Sequence, residues 1–260
     1  MSSVTQRIKD IKQPRGGYIK PSQFNLQKMD DGQTLNEHEN IHASVIGMAI
    51  DYLTRFIMGT DVVEAFKISY MGAKVAEDMF QQKSALKTAQ KLLIGIKGLD
   101  NSSIINACKI VTYDVWYRNP KGAILAKGVE ETNPDLETIQ NIKIMVERSV
   151  RFWKEFGPVL QDCFTFEPYG YTSTVNTGDG DYLTTDTLWD FKVSKSKPTN
   201  KNTLQLLMYW IMGQHSGQEI YINIGKLGIF NPRLNFVYIL EITDISPEII
   251  EEIEKDVICY

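Results

Sequence analysis

The spacing of hydrophobic and polar positions changes at about residue 159. Over residues 36–158 apolar side chains recur every three or four positions, which predicts a series of amphipathic helices that begins at a capping Asn36. Over residues 159–260 the pattern shortens to β-branched and aromatic runs between polar turns, which predicts strands. The predicted order in this second part is β-β-β-α-β-β-α. Its last helix begins with a Ser246 cap and a first-turn Pro247.

These elements predict one domain of the α/β (α+β) class over residues 1–260, with helices around a mixed central β-sheet. Residues 1–35 are basic and polar and predict an extended arm. Residues 36–158 predict a mainly helical front half. Residues 159–260 predict the half that holds the sheet and ends in an acidic helix.

The composition places the chain among ordinary globular proteins. Hydrophobic residues make up 43% of the 260 positions and charged residues 23%. The three cysteines, Cys108, Cys163 and Cys259, are scattered, which excludes a disulfide framework or a cysteine-rich metal cluster. We find neither a secretory signal nor an apolar run long enough for a membrane span, and we therefore expect a cytoplasmic protein without a membrane partner.

The net charge of −4, from 28 basic and 32 acidic side chains, by itself disfavours nucleic acid as a partner. The charge is unevenly distributed, however. The last twenty residues hold seven acids and one lysine, whereas residues 1–28 hold six basic side chains and one acid. The whole-chain value therefore hides a basic front and an acidic tail, and it is weak evidence in either direction.

A hairpin in the second half carries the candidate chemistry. If its turn is centred on Thr185 and Asp186, Asp181 lies opposite Asp190, and the alternation of side chains puts Lys192 on the same face. Two opposed carboxylates, about 5 Å apart at Cβ, destabilise a sheet unless something compensates them.

A divalent metal ion is the natural compensator for this pair. Mg²⁺ binds through one or two carboxylates and a substrate phosphate. The lysine beside it would stabilise a transferring phosphoryl group or position the attacking water. Two alternatives remain: the acids sit at strand ends in solvent, or a three-residue turn offsets the pair.

The next predicted helix and the loop before it add polar groups. Gln205 and Tyr209 are four residues apart and share one helix face. The loop has no acid and several lysines, namely Lys192, Lys195, Lys197 and Lys201. Such a loop suits contact with a phosphate backbone, although a solvated surface loop is the plainer interpretation.

Together these residues resemble the PD-(D/E)XK nuclease superfamily, in particular its RecB-like and phage-exonuclease branch. The superfamily pattern is G-x-x-D, then D-x-K about ten residues later, then Q-x-x-x-Y on the following helix. The matching residues here are Gly178-Asp179-Gly180-Asp181, Asp190-Phe191-Lys192 and Gln205-Leu206-Leu207-Met208-Tyr209. The resemblance covers residues 160–241 and implies a restriction-endonuclease-like core of order α-β-β-β-α-β.

The resemblance also implies residue roles. Asp181, Asp190 and the main-chain carbonyl of Phe191 would bind Mg²⁺ or Mn²⁺, and Lys192 would position or activate the attacking water. Gln205 and Tyr209 are assigned with them to the catalytic set, where they would support the site or touch DNA.

A further ligand in the superfamily is often the histidine of an early-helix G-x-x-x-H. In this chain the matching residues are Gly47 and Asp51, so an acid replaces the histidine. The alternative is that Asp51 is a polar residue on an exposed helix face.

The implied activity is that of a Mg²⁺-dependent, ATP-independent exonuclease on double-stranded DNA ends, of the phage recombination type. DNA would be held by Lys195, Lys197, Lys201 and Arg118, and the implied protein partners are a single-strand annealing protein and further copies of the chain. The ungrouped cysteines predict no iron–sulfur cluster, and the lack of a P-loop predicts no ATP. An endonuclease of the superfamily and a catalytically inactive DNA- or partner-binding protein on the same fold remain as alternatives.

Overall fold

The structure is a computed structural model that describes residues 2–260. Its internal contacts divide the chain into two compact units, where the sequence predicted a single domain. The first unit holds the described residues up to Asp30 together with Phe152–Tyr260, and the second holds Asp31–Arg151.

Helices dominate the second unit and also occur in the first. Within residues 2–260 the α-helices, numbered in chain order, are α1 (Val4–Asp10), α2 (Ala43–Ile57), α3 (Val62–Ala65), α4 (Lys67–Phe80), α5 (Ala85–Ile94), α6 (Asn101–Ile110), α7 (Asp114–Arg118), α8 (Pro120–Ala123), α9 (Leu136–Phe156), α10 (Asn200–His215) and α11 (Pro247–Glu252). A π-helical segment, Ile253–Ile258, continues α11. None of the helices in residues 2–260 combines the length and the apolar character that crossing a membrane requires.

All strands of the described residues lie in the first unit. They are β1 (Ser2–Ser3), β2 (Asn25–Lys28), β3 (Gln161–Asp162), β4 (Val175–Thr177), β5 (Tyr182–Leu183), β6 (Thr187–Phe191), β7 (Lys226–Asn231) and β8 (Phe236–Glu241). Six of them form a mixed open sheet of order β2-β8-β7-β6-β5-β3, in which only β6 and β7 are parallel. The remaining two, β1 and β4, pair in parallel as a separate two-stranded sheet. The predicted mixed α/β class with a mixed central sheet is therefore confirmed.

The central hairpin of this sheet is buried on both faces, as its sequence predicted. Leu183 and Leu188 pack on one side into the cluster that includes α10. Tyr182 and Trp189 pack on the other side, where they meet Phe152 from the last turn of α9. The alternation of side chains along each strand thus joins two hydrophobic layers through one sheet.

The predicted extended arm over residues 1–35 is wrong. Val4 and Ile8, four positions apart, are both buried, so residues 4–10 fold as helix α1 with Ser3 as the capping residue. Further along, Asn25–Lys28 forms the edge strand β2, which pairs with β8. The polar composition of this stretch gave no sign of α1 and β2, because both are stabilised by contacts with other parts of the first unit.

Every regular element within residues 31–151, all of which the structure describes, is a helix, in agreement with the predicted front half. Its first long helix begins later than expected: His42, whose side chain accepts the N–H of Ser44, caps α2. Asn36 instead hydrogen-bonds to Asn141, so the predicted cap at Asn36 is wrong.

The α4 helix of this unit approaches the segment before α7 very closely. A Cβ atom on Gly72 would lie 2.0 Å from the carbonyl oxygen of Tyr113, so this contact requires glycine. Beside it Asp114 is buried and accepts hydrogen bonds from the hydroxyls of Tyr52, at 2.6 Å, and Ser69. Burial raises the pKa of Asp114, although both hydroxyls and the nearby Arg118 oppose the rise.

Candidate functional site

The register of the β5–β6 hairpin is the one that the sequence predicted. Tyr182 lies opposite Trp189, and the N–H of Thr184 donates to the carbonyl of Thr187 at 3.0 Å. The turn is therefore a two-residue turn, and the alternative of a three-residue turn is wrong. Extended by one residue beyond the Tyr182–Trp189 pair, this register brings Asp181 opposite Asp190.

The end of the hairpin away from the turn, called the open end below, gathers the predicted acids. Asp181 directly precedes β5, and its Oδ2 accepts the main-chain N–H of Phe191 at 2.7 Å. The carboxylate thereby takes the place of a main-chain partner, and the β5–β6 ladder stops at Tyr182. Asp181 is thus tied to the residue that directly follows Asp190.

Asp190 is a buried carboxylate with only one of its oxygens engaged. Its side chain is 3% exposed, and its Oδ1 lies 2.8 Å from Nζ of Lys192. Its Oδ2 is buried and has no hydrogen-bond partner within residues 2–260. Leaving a buried carboxylate oxygen unsatisfied is costly, so this oxygen is the one on Asp190 that a bound ligand could satisfy.

Lys192 closes the open end on the same face as Asp190, as predicted. Its partial burial acts to lower the pKa of the ammonium group. The negative charges of Asp190 and Asp181, together with the hydrogen bond to Asp190, outweigh that effect and raise the pKa. Lys192 is therefore a cation held at the two carboxylates.

The main chain contributes one more acceptor at this point. The N–H and C=O groups of one residue point to the same side of a β-strand. Because the N–H of Phe191 donates to Asp181, the carbonyl of Phe191 is directed to that side as well. Phe191 directly follows Asp190 and is hydrogen-bonded to Asp181, so the two carboxylates and this carbonyl belong to neighbouring positions at the open end.

Helix α10 places Gln205 and Tyr209 together, as their four-residue spacing predicted. Nε2 of Gln205 donates to the hydroxyl oxygen of Tyr209 at 2.9 Å. Burial raises the pKa of Tyr209; the hydrogen bond from Gln205 opposes the rise, and the charges of Asp181 and Asp190 add to it. The tyrosine therefore stays protonated beside the carboxylates.

The donor set at the open end fits a hard divalent cation. Mg²⁺ retains several waters and needs only one or two carboxylates from the protein. The unpartnered Oδ2 of Asp190 and the adjacent carboxylate of Asp181 supply that number. Within residues 2–260 no three His, Cys, Asp or Glu side chains group closely enough to hold a metal by themselves, so this pair would need water and substrate oxygens as further ligands.

Two further predicted site residues do not belong to the first unit. Asp51 and Arg118 belong to the second unit, where Asp51 pairs with Arg55 at 3.1 Å and Arg118 lies 3.8 Å from Asp114. Their roles as metal ligand and DNA contact stay predictions.

The three lysines that were assigned to DNA, Lys195, Lys197 and Lys201, are all exposed in the first unit. Only Lys201, on the first turn of α10, lines a cavity that Lys192 also lines. The structure therefore brings one of the three to the open end of the hairpin.

One residue at this cavity was missed. Lys9 of α1 lines it together with Lys192 and Lys201. The signal was present in the sequence, because the buried positions Val4 and Ile8 define a helix face and Lys9 follows directly. The expectation of an extended arm concealed it.

Comparison with known proteins gives no match: no family model, no curated protein and no solved structure matches this chain.

Proposed function

We propose that the chain is a Mg²⁺-dependent deoxyribonuclease with the core of the PD-(D/E)XK superfamily. The observation that carries the proposal is the buried, unpartnered Oδ2 of Asp190 beside Asp181 and Lys192. Two adjacent carboxylates and a lysine form a typical arrangement for hydrolysis of a phosphodiester with a divalent ion.

The order of elements supports the same proposal. The elements α9, β3, β5, β6, α10 and β7 occur in this order along the chain, with β4 of the separate two-stranded sheet between β3 and β5, and these four strands of the series belong to the six-stranded sheet. This is the order α-β-β-β-α-β that the sequence resemblance implies. The acids lie at the second and third of these strands, and Gln205 and Tyr209 lie on the helix that follows.

In the proposed reaction Asp181, Asp190 and the carbonyl of Phe191 would hold the divalent ion. When bound, the ion supplies charge neutralisation at the phosphate and lowers the pKa of a coordinated water. Lys192 holds the attacking water and the negative charge that develops on the phosphoryl oxygens. Gln205 and Tyr209 would support the site from α10 or touch the DNA.

The covalent change is a simple hydrolysis. The water oxygen bonds to phosphorus, the bond from phosphorus to the leaving sugar oxygen breaks, and that oxygen takes up the proton that the water gives up. The residues named for this reaction, from Asp181 to Tyr209, all belong to the first unit.

End-labelled linear DNA and covalently closed circular DNA, each incubated with Mg²⁺ or with EDTA, test the proposal. For an exonuclease on DNA ends, our preferred activity, we expect the linear molecule alone to be degraded, and only with Mg²⁺. Nicking of the circle would assign an endonuclease of the same superfamily. If neither molecule is cut with Mg²⁺ or with Mn²⁺, the proposed activity is wrong.

One observation favours a second candidate, a non-catalytic DNA-binding protein on the same fold. Within residues 2–260 no third acidic or histidine side chain joins the carboxylate pair, and Lys192 already occupies one oxygen of Asp190. Such a protein would bind duplex DNA equally with and without Mg²⁺ and would leave both DNA molecules intact.

The proposed nuclease, in the cytoplasm, would act beside an annealing protein or a second copy of the chain.

A further inference from the structure

Helix α1 and helix α10 of the first unit lie side by side, and an open groove runs between them. The groove has a volume of about 270 Å³, and its polar lining consists of Thr5, Lys9, Lys192, Lys201, Asn202 and Gln205. Of the described residues that line it, three are lysines and none is acidic. The groove therefore has the charge and the donors to bind an anion.

The remaining side chains of α1 explain why Lys9 faces this groove. Val4 and Ile8 are buried in the hydrophobic core. Arg7 turns the other way and donates at 2.8 Å to the main-chain oxygens of Asp256 and Val257 in the C-terminal helical segment. Arg7 thus fixes α1 to the C-terminal segment, whereas Lys9 lines the groove.

The chain after α1 follows the beginning of α10 and extends the same basic surface. The hydroxyl of Thr203 donates to the carbonyl oxygen of Ile19 at 2.6 Å, and Gly17 lies against Asn200. Several exposed basic residues belong to this stretch or to the loop before α10, namely Lys12, Arg15, Lys20, Lys195 and Lys197. Two basic stretches, separated by more than 170 residues in sequence, therefore meet along α10.

We propose that the groove between α1 and α10 binds a backbone phosphate of DNA next to the phosphodiester that is cut, with Lys9 and Lys201 as its two cationic walls. The proposal rests on the proposed function, because Lys192 joins the groove to Asp190. The basic groove holds the strand through its backbone charge, independent of base sequence, and leads it to the open end of the hairpin.

Salt dependence of DNA binding tests the groove separately from catalysis. A fluorescent duplex is titrated with the full-length Asp190→Asn variant, which prevents cleavage, over a series of KCl concentrations. Each lysine that contacts a phosphate contributes about 0.9 to the slope of log K against log salt. We expect Lys9→Gln and Lys201→Gln each to reduce the slope by about 0.9, and the double variant to reduce it by about twice that amount.

Lys255→Gln is the matched control, because Lys255 is an exposed lysine of the first unit in the acidic C-terminal segment. It should leave the slope unchanged, and Lys9→Arg should retain the original slope. Melting temperatures of all variants show that the fold is kept. An unchanged slope in Lys9→Gln, or no binding of the duplex by the parent protein, overturns the groove proposal. Binding with the expected slopes but no cleavage by the unmutated protein overturns the nuclease activity alone.

Discussion

The two ends of the β5–β6 hairpin each carry an aspartate–lysine pair with the same 2.8 Å separation of nitrogen and oxygen. At the turn Asp186 pairs with Lys226 of β7, and both side chains are partly exposed. At the open end Asp190 pairs with Lys192, and this carboxylate is 3% exposed. The two pairs share their chemistry and differ in burial and in the partners of the second oxygen.

At the turn the second oxygen is satisfied. Oδ1 of Asp186 accepts the hydroxyl of Thr187 at 2.7 Å, while Oδ2 accepts Nζ of Lys226. That bond from Lys226 holds the pKa of Asp186 below its ordinary value. Oδ2 of Asp190 has no such partner within residues 2–260. At the turn, both carboxylate oxygens have partners, and the ion pair stabilises the turn. At the open end, the buried carboxylate has one oxygen without a partner, and this oxygen can still bind a ligand.

The largest expected difference between the two ends is in activity. Asp190→Asn should lower the rate of Mg²⁺-dependent DNA cleavage by about a thousandfold, because loss of a metal-binding carboxylate costs several kcal/mol at the transition state, here roughly 4 kcal/mol. Asp186→Asn, the matched change at the turn, should keep the rate within about twofold, the scale of a surface substitution. Initial rates on end-labelled duplex DNA measure both. Equal losses in the two variants would show that the open end has no special role.

Metal binding should produce the next largest difference. An ion that binds only the folded protein stabilises it by about 2.7 kcal/mol at a hundred times its Kd. For a chain of this size that is a rise in Tm of roughly 5 to 10 °C. We expect the rise with Mg²⁺ in the unmutated protein and in Asp186→Asn, and its loss in Asp190→Asn. Thermal unfolding with and without Mg²⁺ measures it, and a rise that survives in Asp190→Asn would place the ion elsewhere.

The hairpin could be predicted from sequence because its information is local. Period-two alternation and a short turn fix the register, and the register fixes which side chains share a face with Asp190. Leu188 and Trp189 then had to pack into opposite layers, as they do. The predicted placement of Asp181, Asp190 and Lys192 followed from this alternation together with an assumed two-residue turn.

The groove could not be predicted, because it depends on contacts between distant parts of the chain. Helix α1 has seven residues, too few for a helix that is stable alone, and it is held by burial of Val4 and Ile8 and by Arg7. Strand β2 is exposed at every position, so no alternation marked it, and its pairing with β8 fixes it. A basic composition predicted an arm, whereas two buried side chains in that stretch determine the fold.

The smallest effect belongs to the turn and depends on pH. The pKa of Asp186 in the folded protein lies below the ordinary value of 3.8, chiefly because Lys226 donates to it. A group with a lowered pKa contributes stability above its unfolded pKa and loses that contribution as the pH falls through its folded pKa. Because the pair is partly exposed, we expect Asp186→Asn to cost less than about 1 kcal/mol at neutral pH, with the difference vanishing in acid below pH 3.8. Urea unfolding over a pH series measures this difference, and Lys226→Met should reproduce its pH dependence. A difference that stays constant into acid would mean that Asp186 acts through packing and that its charge contributes nothing to the turn.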